Sequence, residues 1–164
     1  MAKRTRTYSW DDPATTATAV AQLSGIDLLR RIAAGDLPNA PIAASLGMDV
    51  VEVEEGRVVF EAEPEEFLFN PAGTVHGGFA ATILDSAMAC AVHSTLPAGS
   101  GYTTVDLSVK LVRALTPAAG RLRCEGTVVH IGGRVGTAEG RLLCADGKLY
   151  AHGTSTCLIL RTER

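Results

Sequence analysis

His76-Gly-Gly-Phe-Ala-Ala-Thr-Ile-Leu-Asp85-Ser-Ala-Met-Ala-Cys-Ala-Val92 is the stretch on which the reading of this chain turns. Across residues 67–105, Asp85 is the only Asp, Glu, Lys or Arg. At the chain's 20% charged content, about eight charged residues are the expectation for ordinary globular composition. The segment is long and apolar enough for one buried helix, about residues 76–95, which Pro97, Gly99 and Gly101 end. A carboxylate in the middle of such a helix is costly unless a partner binds it or chemistry uses it.

Working outward, Met48–Glu54 and Arg57–Ala62 read as two strands joined at Glu55-Gly56. Beyond the helix, Tyr102–Val112 alternates, with Val105, Leu107, Val109 and Leu111 expected on one face. Three further strands are expected over Arg121–His130, Arg134–Cys144 and Lys148–Leu160, the last two joined by an Asp146-Gly147 turn. Six strands around one long helix define an α+β class with a mostly antiparallel sheet wrapped on the helix. The alternating strand–helix pattern of a nucleotide-binding sheet is absent. The expected domain plan is a flexible arm over residues 1–20, a helical segment over 21–47 and the main domain over 48–164. Within the middle segment, Ile26–Ala34 has amphipathic spacing and stops at Gly35.

The formal net charge of −3 and 5% aromatic content argue against nucleic-acid binding. The four cysteines (Cys90, Cys124, Cys144, Cys157) have no close pair, which fits buried thiols in a reducing cytoplasm and neither a zinc site nor a disulfide framework. The charged start, Met1-Ala-Lys-Arg-Thr-Arg, lacks the apolar core of a signal peptide. Residues 77–96 are interrupted by Asp85 and rich in Ala, Ser and Thr, so a membrane span is not expected.

Two features of the helix carry chemistry. Gly77-Gly78 opens it, and first-turn amides have no intrahelical acceptor at the electropositive end of the helix dipole. A carbonyl oxygen placed there would be polarised; a tight loop-to-helix entry would also require glycine. Asp85 can serve as general base on water or as nucleophile toward an acyl carbon, or be satisfied by buried hydroxyls. Gly77 and Asp85 are eight residues apart, roughly 12 Å along the axis, so one chain cannot present both to one small reacting group. A second copy packing its helix antiparallel near Ala81 would bring Gly77 of one subunit to Asp85 of the other and create two equivalent sites.

His76 is open between metal ligand, catalytic group and helix cap, although no second ligand at metal spacing accompanies it. His93, His130 and His152 read as surface or packed histidines. Gly132-Gly133-Arg134 reads equally as a phosphate-gripping turn or a plain hairpin. Ser86 and Ser94 have no Gly-x-Ser-x-Gly context.

The pattern Asn70-x5-His76-Gly77-Gly78-x6-Asp85, together with Thr103-Thr-Val-Asp-Leu-Ser-Val-Lys-Leu-Val-Arg113 and the final strands, resembles the hotdog-fold acyl-CoA thioesterases, and within them the phenylacetate-pathway (PaaI-like) group. The resemblance runs from about Pro41 to Leu160 and leaves residues 1–40 outside. It implies a hotdog fold, active sites shared across a homodimer, and dimers pairing into a homotetramer. Asp85 would be base or nucleophile, and the neighbouring subunit's Gly77 amide would polarise the thioester carbonyl. Asn70 would orient water or substrate, His76 would support its loop, and Thr104 would place a hydroxyl near the attacking water. Gly78, Arg113, Gly133 and Arg134 are candidates for binding the coenzyme A part of the substrate, the guanidinium forks suiting its phosphates. No metal or redox cofactor is expected. Pocket walls are expected from Phe69, Phe79, Met88 and Tyr102. A hotdog hydratase or dehydratase, and a non-catalytic acyl-CoA sensor, are the alternative functions.

Overall fold

Three of the four α-helices among the described residues begin at a side-chain cap, and the first begins earlier than expected. The structure, a computed structural model, describes residues 2–161. In place of an arm throughout residues 1–20, Pro13–Val20 form helix α1, with Asp12 Oδ1 accepting from the Ala14 amide at 2.9 Å and proline in the first turn. Helix α2, Gly25–Ala34, starts at Ser24, whose hydroxyl is tied to Asp27, and ends at Gly35 in the left-handed conformation (φ 80°) that glycine adopts without penalty. Helix α3, Pro41–Leu46, is one short piece before the sheet.

The strands are β1 (Met48–Glu54), β2 (Arg57–Ala62), β3 (Ser100–Leu111), β4 (Leu122–Ile131), β5 (Val135–Cys144) and β6 (Leu149–Arg161), and helix α4 spans Gly77–Ser94 between β2 and β3. They form one six-stranded sheet in the order β1-β2-β4-β5-β6-β3, with every pairing antiparallel. The sheet curves around α4, whose Ile83, Leu84, Ala87, Met88, Ala91 and Val92 are all 0% exposed. Side chains were removed from the sheet where the helix lies closest. A Cβ on Gly126 of β4 would sit 2.3 Å from the Ala87 carbonyl carbon, and one on Gly140 of β5 would sit 2.9 Å from Met88 Cγ. Glycine at these positions lets the helix sink onto the sheet at van der Waals distance.

The face expected from simple alternation along β3 is broken. A β-bulge between Thr104 and Asp106 inserts Val105 as an extra residue. Thr104 pairs with Cys157, and after the bulge Leu107, Val109 and Leu111 pair with Ser155, Gly153 and Ala151. All four of these partners that carry side chains or glycine lie on the buried side of β6. Thr104 therefore shares the inner face with Leu107, Val109 and Leu111, while Val105 leaves that row and is 60% exposed. β3 is also a sheet edge, and Leu107, Leu111 and Val112 are 39%, 58% and 56% exposed.

The N-terminal helices lie on the open side of α4. The Gly25 amide donates to the Leu96 carbonyl at 2.9 Å, and the Gly99 amide donates to the Val20 carbonyl at 3.1 Å. Leu28 and Leu29 are buried, and α2 packs on β1 and α4. Arg6 donates to the Ser45 and Ala44 carbonyls and stacks 3.8 Å over the Phe67 ring, tying the start of the chain to α3 and the loop after β2.

Candidate active site

Asp85 and Thr104 meet. The Thr104 hydroxyl donates to Asp85 Oδ1 at 2.9 Å and stands 4.0 Å from Cys157 Sγ. Asp85 Oδ2 has no hydrogen-bond partner among the described residues. Both side chains lie on the wall of a cavity of about 460 Å³ between α4 and the N-terminal helices. On α4 the wall continues through Ser86, Ala89, Cys90 and His93, one helix face read at steps of three and four residues. His93 is 6% exposed, with its ring 5.1 Å from that of Tyr102. Burial holds its imidazole below the ordinary histidine range, so it is neutral at neutral pH. Burial also pushes the Cys90 thiol up to about 12, beside a Tyr102 hydroxyl 3.9 Å away, which leaves that sulfur a poor nucleophile.

A second cluster forms at the start of α4. His76 is the N-cap: its Nδ1 accepts from the Gly78 amide at 2.9 Å. A Cβ on Gly78 would stand 2.8 Å from that Nδ1, so glycine permits the cap. The Gly77 amide has no acceptor among the described residues and opens on a recess of about 270 Å³, which Asn70, Leu111 and Arg113 also line. Asn70 is committed to its own loop. Its Oδ1 accepts from the Ala72 and Thr74 amides at 2.9 and 3.3 Å, and its Nδ2 donates to Thr74 Oγ1 at 2.9 Å. The Arg113 guanidinium lies 5.9 Å from the Tyr150 ring.

One chain thus holds two separate clusters, Asp85–Thr104 and Gly77–Asn70–Arg113, eight helical residues or roughly 12 Å apart. Gly133 and Arg134 join neither. They sit in the exposed β4–β5 turn, which is next to Gly136, whose Cβ would stand 2.7 Å from Val92. That is the C-terminal end of α4, about 22 Å along the axis from Gly77. Of the expected pocket walls, Tyr102 lines the cavity, whereas Phe79 and Met88 are packed into the core and Phe69 is outside it. His93 and the residues of α2 and α3 line the cavity without being among the expected walls. The spacing Asp85, Ala89, His93 would have pointed to the first; nothing local marks the others.

A helix enclosed by a curved antiparallel sheet, with an acid at mid-helix and a free amide at its start, defines the hotdog class. The comparisons agree. Residues 72–151 match the model of the thioesterase superfamily. A phenylacetic acid degradation-related protein from Ralstonia eutropha, whose structure is that of a candidate thioesterase, is 30% identical, with 79% of this chain and 98% of that chain covered at a TM-score of 0.72. The PaaI protein of Escherichia coli, from the phenylacetic acid degradation operon, shares the fold at 22% identity, 87% and 97% coverage and a TM-score of 0.71. A Halobacterium salinarum protein named as a candidate esterase is 38% identical over 99 residues, 57% of this chain, and the match spans 64% of that relative's length. The chain belongs to the thioesterase superfamily. Among the described residues no helix is long and apolar enough to cross a membrane.

Proposed function

We propose that this protein is an acyl-CoA thioesterase that hydrolyses an acyl- or aryl-CoA to the free acid and coenzyme A. The reading rests on the half-site arrangement: a carboxylate held by Thr104 and an unsatisfied helix amide beside a cation, too far apart to act on one carbonyl within a chain. A homodimer brings Gly77 of one subunit to Asp85 of the other, and the uncovered apolar edge of β3 supplies surface that a second copy would bury. Two such dimers form the homotetramer in this reading. Asp85 activates water for addition to the thioester carbon, or itself adds there. The partner's Gly77 amide, at the positive end of its helix, stabilises the oxyanion. Collapse breaks the C–S bond, and coenzyme A leaves as the thiolate and takes up a proton. Where water is the nucleophile the acid is released directly; where Asp85 is the nucleophile a water hydrolyses the acyl–Asp85 anhydride, releasing the acid and restoring the carboxylate. Arg113, beside Gly77, is the group placed for a coenzyme A phosphate; Arg134 is a second candidate. The chemistry needs water and no further cofactor, and the unpaired cysteines suit a cytoplasmic location.

Release of free thiol from a panel of acyl- and aryl-CoA substrates tests the reaction. Asp85→Asn should abolish it; equal turnover by this variant would remove Asp85 from the chemistry. Mixing unfolded Asp85→Asn with unfolded Gly77→Pro chains and refolding them together should recover about a quarter of wild-type activity, because half the dimers then carry one intact site of two. No recovery, with mixed dimers demonstrated, would refute the shared site. Incorporation of labelled oxygen from water into Asp85 during single turnover separates nucleophile from base.

A further inference from the structure

We propose that the N-terminal segment, residues 13–46, is the roof of the acyl-binding pocket and restricts the enzyme to medium-chain acyl groups of about eight to ten carbons. The inference rests on the thioesterase reading for the identity of the ligand's head, and on the cavity for the length of its tail. The segment lies outside the residues that match the family model, so the family pattern assigns it nothing. Yet it supplies one side of the cavity that begins at Asp85 and Thr104, with Leu28, Leu29 and Ile32 from α2 and Ile42 and Ala43 from α3.

The chemistry of the lining selects the acyl end of the substrate over the coenzyme A end. No Lys or Arg lines the cavity, and its one histidine is held neutral by burial, so nothing there answers a phosphate. The cations stand elsewhere, Arg113 in the Gly77 recess and Arg134 in the β4–β5 turn. Two polar residues of the roof are engaged in its own fold: the Thr16 hydroxyl donates to the Pro38 carbonyl at 3.0 Å, and Asn39 Oδ1 accepts from the Ala40 amide at 2.8 Å. The remaining roof is aliphatic. A volume of about 460 Å³ is ordinary for a small-molecule site.

Length follows from the helix. Asp85, Ala89 and His93 mark the floor on one face of α4, and the eight residues from Asp85 to His93 cover about 12 Å. A staggered carbon chain of 1.52 Å bonds at 111° advances about 1.25 Å per bond. About nine or ten bonds therefore span the distance from a carbonyl beside Asp85 to the His93–Tyr102 pair, whose rings stand 5.1 Å apart. Van der Waals clearance from those rings, the end of the path in this proposal, shortens the usable chain to about eight to ten carbons. The roof is pinned by the Gly25–Leu96 and Gly99–Val20 backbone bonds and by buried Leu28 and Leu29, so it is a fixed wall.

Binding, measured without turnover, tests the inference separately from the reaction. The probes are the N-acetylcysteamine thioesters of butyrate, octanoate and hexadecanoate, titrated calorimetrically into the full chain carrying Asp85→Asn so that the probe survives. Each buried methylene tightens binding about fourfold, so octanoyl, with four more, should bind about 250-fold tighter than butyryl, and hexadecanoyl should gain nothing over octanoyl. Ile32 is half-buried, so Ile32→Trp fills space from the roof with little strain on the fold, and Ala89→Leu does so from the floor. Each should weaken octanoyl at least 10-fold and leave butyryl within about threefold. Ile32→Ala should move the optimum toward longer chains. Equal binding of all three probes would overturn the proposal. So would Ile32→Trp and Ala89→Leu proteins of wild-type circular dichroism that bind octanoyl as before or lose every probe alike. If length-dependent binding is found but the wild-type enzyme releases no thiol from octanoyl-CoA, the pocket stands and the hydrolytic reading falls.

Discussion

Replacing Gly77 by proline removes one atom of function, the amide hydrogen, and the structure gives the consequences for stability and activity separately. Gly77 is the first residue of α4, where proline's fixed φ suits the helix and its missing N–H costs no helical bond. The preceding residue must be extended, and His76 already is, at φ −62° and ψ 135°. The new Cβ would stand 2.6 Å from Leu111 Cδ1, but the next contact is 3.9 Å away and Leu111 is 58% exposed, so its side chain can rotate aside. Restricting the unfolded chain contributes about 0.4–1 kcal/mol in favour of the fold, and the rotation offsets part of it. The melting temperature should therefore stay within about 3 °C of wild type. Activity is a different matter, because losing one oxyanion donor costs about 2.7–4 kcal/mol of transition-state stabilisation, or 100- to 1,000-fold in kcat. Gly77→Ala is the control, since it adds the same Cβ and keeps the N–H. Thiol release from octanoyl-CoA, with thermal melts of all three proteins, is the assay. If the proline and alanine variants are equally active and equally stable, the Gly77 amide is not the oxyanion donor.

Thr104→Val removes the hydrogen bond to Asp85 while keeping a β-branched strand residue; a bond to a charged group contributes about 1.5–3 kcal/mol, so kcat should fall about 10- to 100-fold with the fold intact by circular dichroism. Gly126→Ala would place its Cβ 2.3 Å from the carbonyl carbon and oxygen of Ala87, backbone atoms that cannot rotate away; overpacking of about 1–3 kcal/mol or more should lower the melting temperature by roughly 5–10 °C. Gly133→Ala, with nothing within 4 Å of its Cβ, should leave the melt unchanged. His93 titrates below its ordinary value of 6.5 in the folded protein, so below that pH the unfolded state binds more protons and stability is lost as pH falls toward the folded value. His93→Phe should remove this component from melts recorded between about pH 8 and 5; an unaltered pH dependence would show that other groups cause it.

Much of this molecule follows from the order of its residues. Glycine, proline and Asp-Gly punctuation set the six strands, and the uncharged run around Asp85 set the central helix, because turn chemistry and burial are written locally. The separation of Asp85 from the Gly77 amide follows from helix rise alone, and the expectation of a second copy was built on that separation. Thr104 did not follow from alternation, which puts it on the face opposite Leu107 and Leu111. The bulge at Val105 turns it inward to Asp85, and a bulge is decided by pairing with β6, a strand about fifty residues away. Nor did the N-terminal segment reveal its place. Its α2 helix was legible from its apolar spacing, but which surface that face covers depends on β1, α4 and the loop at Leu96 coming together. Local sequence determined the elements and the lone acid; only long-range packing decided what touches that acid and what encloses the space beside it.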